Sequence, residues 1–96
     1  MSAVTASLTA ENTFTDWYSS RYDNADGYLN LSVSGTWVGT ITVQRSFDGG
    51  VTPLDVEQYT SNIEKYVQDF ETGVVYRIGF KTGEFTSGTA VCRVSR

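Results

Sequence analysis

A chain of 96 residues is one domain, and its net charge of −4, with seven basic residues of which no two are neighbours, excludes a strong grip on phosphates or on an anionic membrane surface. Forty per cent hydrophobic and 14% aromatic residues are enough for a core, and one proline among nine glycines excludes a disordered or collagen-like chain. The absence of histidine removes the usual general base and the commonest zinc ligand, and the single cysteine, Cys92, excludes an internal disulfide or a thiolate metal site.

The start of the chain lacks the basic and apolar run of a signal peptide, and no apolar stretch approaches the ~20 residues that cross a bilayer, so a protein made and kept in the cytoplasm until it assembles is expected. Val4, Ala6, Leu8 and Ala10 share one parity among threonines and small residues, which makes residues 1–15 a weak edge strand or a partner-contacting arm. Trp17, Tyr18 and Tyr22 follow in a polar stretch, closed by the turn Asp23-Asn24-Ala25-Asp26-Gly27. From Gly27 to Trp37 the alternation is clean, with Leu29, Leu31, Val33 and Trp37 facing one way.

Ile41, Val43 and Phe47 continue that period of two, with Thr42, Gln44 and Ser46 between them. Asp48, Gly49 and Gly50 then force a turn, and Leu54 and Val56 resume an alternation with Asp55 and Glu57, completing a hairpin. Pro53, which donates no ladder bond, belongs at an edge or at the first residue of the returning strand. The spacing Ser46-x-Asp48-x-Gly50-x-Thr52 resembles the Asp-box hairpin of sialidases and related propellers, with Pro53 where that motif carries tryptophan. A propeller repeats such a hairpin in each of several blades, whereas one copy is present here; Ser46, Asp48, Gly49 and Gly50 read as a self-stabilised turn and not as a sugar site.

Ile63, Tyr66, Val67 and Phe70 fit a helical spacing, while Thr60, Tyr66, Val67 and the neighbouring segments favour strand; residues 57–71 read as strand, with a short helical turn as the alternative. Val74, Tyr76, Ile78 and Phe80 alternate with Arg77 and Lys81, a second hairpin is expected over residues 83–88, and Ala90, Cys92 and Val94 turn inward on the last strand. Cys92 is then a buried thiol and not a nucleophile. About seven short strands with glycine-rich turns give an all-β fold, a single antiparallel β-sandwich over residues 1–96, immunoglobulin-like or jelly-roll-like. Tyr76 stands where immunoglobulin-like folds place a corner tyrosine.

Three carboxylate pairs, Asp23 with Asp26, Asp55 with Glu57 and Asp69 with Glu71, read as solvated edges. The Asp23 to Gly27 stretch lacks the distal bidentate glutamate of a helix-loop-helix calcium site, so no metal is expected, nor any cofactor or enzyme activity. Trp17, Tyr18, Tyr22, Tyr59 and Tyr66 lie in the less regular segments, where aromatic side chains either build an interface or cover the open ends of the sandwich.

Five blocks, taken in order, resemble a family of small virion proteins of tailed bacteriophages: Asn12 to Trp17, Leu29 to Trp37, Thr42 to Gly50, Val75 to Gly79 and Thr86 to Ala90. The resemblance spans about four fifths of the chain and implies a non-enzymatic structural component of the virion, β-sandwich in fold, on the head or in the neck, tail or fibre. The shared blocks are strands and turns, so no functional residues carry over. The expectation is a head decoration or cement protein that binds capsid or other virion proteins and itself as a homo-oligomer, with Trp17, Tyr18 and Tyr22 at the partner surface. The alternative is a carbohydrate-binding sandwich for host attachment, in which the same three aromatics stack on a surface glycan.

Overall fold

The structure, a computed structural model, describes residues 3–19, 28–69 and 73–95. Nine strands form in them: β1 (Ala3–Leu8), β2 (Thr13–Phe14), β3 (Tyr18–Ser19), β4 (Tyr28–Gly39), β5 (Ile41–Ser46), β6 (Leu54–Tyr59), β7 (Ile63–Gln68), β8 (Val75–Phe80) and β9 (Phe85–Ser95). They make two antiparallel sheets, ordered β1-β9-β4-β7 and β2-β8-β5-β6, with β3 also on β8. The pairs β1 with β9, β2 and β3 with β8, β4 with β7, and β5 with β6 trace one ribbon folded back at the β5–β6 turn. Rolling that ribbon brings β9 onto β4 and β8 onto β5. Of the two sandwich arrangements, this is the jelly roll.

Period-two patterning puts Leu29, Leu31 and Val33 of β4, Ile41 and Val43 of β5, Tyr76, Ile78 and Phe80 of β8, and Ala90, Cys92 and Val94 of β9 into one buried core between the sheets. Strand β1 lies at the edge of its sheet and adds Leu8, Val4 and Ala6 to that core. Trp37, Phe80 and Phe85 meet edge to face and close one end, with ring centres 5.7 and 4.9 Å apart. Tyr76 is no corner tyrosine: its hydroxyl donates to Asp69 at 2.8 Å.

In the described part of residues 57–71, residues 57–59 finish β6 and residues 63–68 are β7, with a bend at 60–62 between them and no helical turn. Ile63 and Val67 stand four apart, a spacing that satisfies both the helical and the strand period, and in the ladder they oppose Val33 and Leu29 on the inner face. Phe70 lies outside the described residues. The second hairpin is not formed, because β8 and β9 belong to different sheets and residues 81–84 carry the chain from one to the other. Strand β5 ends at Ser46, so Phe47 falls in the turn and is half exposed instead of sharing the core face of Ile41 and Val43.

The returning strand also departs from simple alternation. Val43 opposes Glu57 but Gln44 opposes Asp55, so Val56 is the extra residue of a β-bulge. The bulge turns Asp55 to the outer face and Glu57 to the inner side, and the two carboxylates do not converge. Asp55 accepts from Lys81 at 2.7 Å and from Gln44 at 2.9 Å, which holds its carboxyl below the usual range. Glu57 accepts from the Tyr59 hydroxyl and from Lys65 at 2.9 Å, and these bonds likewise lower its pKa. Together Glu57, Tyr59 and Lys65 bridge the flank between the edge strands β6 and β7.

Candidate functional site

The turn at the fold of the ribbon is built by two side chains. The Ser46 hydroxyl donates to Asp48 Oδ1 at 2.6 Å and accepts from the backbone N–H of Gly50 at 2.9 Å, while Asp48 Oδ1 accepts from the N–H of Thr52 at 2.9 Å. The Ser46 hydroxyl, followed by the Thr52 donors, pulls the Asp48 pKa down to about 2. Gly50 adopts φ +104, and a Cβ on it would lie 2.5 Å from Nε1 of Trp17. An indole from a distant segment therefore rests on the turn.

That contact decides what Trp17 does. The Arg77 guanidinium stands 4.4 Å from the Trp17 ring centre and 3.9 Å from that of Phe14, and its Nε donates to Gln44 at 2.9 Å. Partial burial there lowers the Arg77 pKa. Trp17 is thus half-buried inside a cluster that straps residues 13–17 across the outer face of the second sheet. Tyr18 pairs with Tyr76 in β3 and is buried in the core. Tyr18 is therefore not exposed, and Trp17 packs on Arg77 and Gly50: the short strands β2 and β3 dock this segment on β8. Tyr22, the Asp23–Asp26 pair and Glu71 lie outside the described residues.

The solvent-facing apolar groups are elsewhere. Phe47, Val51, Leu54 and Val56 are all more than a third exposed, with Val51 at 82%, and they line the turn and strand β6 at the edge of the second sheet. The sequence pattern missed this rim because Leu54 and Val56 alternate as a core strand does; Val56 is instead the extra residue of the bulge, and Leu54 opposes Arg45 at the turn end of the hairpin, where it stays exposed.

A second surface covers the outer face of the first sheet. Tyr66 of β7 is 66% exposed and meets Tyr28 of β4 edge to face, with ring centres 5.7 Å apart. The ladder sets Tyr66 beside Asn30, and in the next outward row Glu64, Ser32 and Arg93. Ser32 donates to Glu64 at 2.7 Å. Asn30, Ser32, Glu64, Tyr66 and Arg93 line a shallow depression of about 380 Å³. Tyr66 was picked out by its aromatic character, whereas Tyr28 was not; the outward parity of β4 is the signal that links them.

Among the described residues no group of three or more His, Cys, Asp or Glu side chains gathers where a metal ion could sit. Cys92 is fully buried, and burial pushes its thiol up to about 12, far from a reactive thiolate. No protein-family model, curated protein or solved structure matches the chain.

Proposed function

We propose that the chain is a non-enzymatic structural component of a tailed-bacteriophage particle, a head decoration or cement protein that docks on the capsid and on copies of itself. The observation that carries this reading is the apolar rim of Phe47, Val51, Leu54 and Val56 along β6, an edge strand among the described residues. Exposed apolar groups beside an unpaired strand edge are what a partner strand covers, the backbone giving affinity and the side chains register. The block resemblance to small virion proteins supports the same reading, since its blocks fall on β2, β4, β5 with its turn, β8 and β9, the scaffold that presents this rim.

Leu54→Asp and Val51→Asp, on exposed side chains, should abolish attachment to particles lacking the protein and shift the purified chain toward monomer in sedimentation, with an unchanged circular dichroism spectrum. Imaging of decorated particles should place the density on the head. Variants that attach and associate like the parent, or density confined to the tail, would overturn the reading.

A further inference from the structure

We infer that the outer face of the β1-β9-β4-β7 sheet is a binding site for a neutral sugar ring of an oligosaccharide, centred on Tyr66, Asn30, Ser32, Glu64 and Arg93. This goes beyond particle docking and uses the sheet that does not contain β6.

The chemistry of the face selects the ligand class. An exposed tyrosine ring, braced edge to face by Tyr28, offers a flat apolar surface to the C–H face of a sugar. Beside it stand an amide, a hydroxyl, a carboxylate and a guanidinium, which together donate to and accept from hydroxyl groups. Adjacent strands lie about 4.8 Å apart, so Glu64, Ser32 and Arg93 in one row spread an acceptor and a donor set over about 10 Å, a reach suited to a polyhydroxylated ring. Ser32 occupies one oxygen of Glu64, and Arg93 Nη1 donates to Ser95 at 3.0 Å, which holds both side chains in place while leaving further bonding capacity.

Other ligand classes fit less well. Lys65 at the margin is paired with Glu57, leaving one carboxylate and one guanidinium, so a charged ligand gains at one and loses at the other. A peptide adding as a strand needs free backbone groups, and here β4 is flanked on both sides by β7 and β9, so the face presents side chains only. The few scattered basic residues of the chain offer nothing to a nucleic acid.

The test is titration of the isotope-labelled chain with maltohexaose, cellohexaose and chitohexaose, and with an oligogalacturonate as the acidic control, followed by amide chemical shifts. Saturable shifts with at least one neutral oligosaccharide, on residues of β4, β7 and β9 around Asn30, Tyr66 and Arg93, are expected. Tyr66→Ala, which removes an exposed ring and leaves the core intact, should weaken binding roughly tenfold, the scale of a lost ring contact. Leu54→Asp should bind sugar as the parent does even where it no longer docks on particles, which separates this inference from the docking reading. No saturable response to any of the three neutral oligosaccharides, a response to the acidic one alone, shifts confined to another surface, or full binding by Tyr66→Ala would overturn it.

Discussion

Asp48 carries the turn as an anion, and this gives the fold a dependence on acid. Its folded pKa of about 2 lies below the ordinary 3.8, so the bonds from Ser46 and Thr52 favour the charged form. A depressed carboxyl contributes stability that is complete above 3.8 and is lost as the pH falls through about 2. Urea midpoints of Asp48→Asn measured across that window should fall less with acid than those of the parent. Because the carboxylate is exposed, solvent keeps the difference small. Parallel profiles would mean that the charge does not matter to the turn. Cys92 behaves in the opposite sense: a thiol held near 12 by burial should react slowly with a thiol reagent in the native protein and fast in denaturant. Equal rates in both conditions would remove it from the core.

Among the elements, the docking of β2 on β8 depends on a position without a side chain. Gly79 faces Phe14 across the ladder, and a Cβ there would lie 2.1 Å from the Thr13 carbonyl oxygen. Gly79→Ala should therefore cost about 1–3 kcal/mol, the range for forcing an extra carbon into a filled site, and should speed amide exchange at Thr15 and Ile78, which hydrogen-bond to each other beside it. An unchanged urea midpoint would show that β2 lifts away freely. At this scale the sequence was most readable where one strand alternates alone: the inward sets of β4, β8 and β9 follow directly from parity. It was least readable where the outcome depends on a partner. The bulge at Val56, the sheet change between Phe80 and Phe85, and the burial of Thr42, Gln44 and Ser46 all depend on which strand comes alongside, and local alternation carries no record of that. The candidate surfaces suffered for the same reason. An aromatic in an irregular segment, such as Tyr18, went into the core, while Tyr66 in a regular strand faced outward.

For the whole molecule, the rolled ribbon places the burden of closure on the pairing farthest apart in sequence. Strand β1 covers β9 over six residues, from Ala3 opposite Ser95 to Leu8 opposite Ala90, so it is a working edge of the core and not a loose arm. Deleting residues 1–10 should lower the urea midpoint and provoke aggregation through the bared edge of β9, as light scattering would show. A truncated chain that remains monomeric at the parent's midpoint would contradict this. The same distant pairing should slow folding, since loop-closure entropy precedes the contacts that reward it. It also means that the first and last described residues sit side by side, where paired Cα atoms are about 5 Å apart. A short peptide bridge between them would turn the open chain into a closed circle without moving a strand, and the circle could then be reopened at the exposed Thr82–Gly83 turn between the sheets. Such a permuted chain should keep the same sandwich while presenting its new ends at a different corner of the molecule.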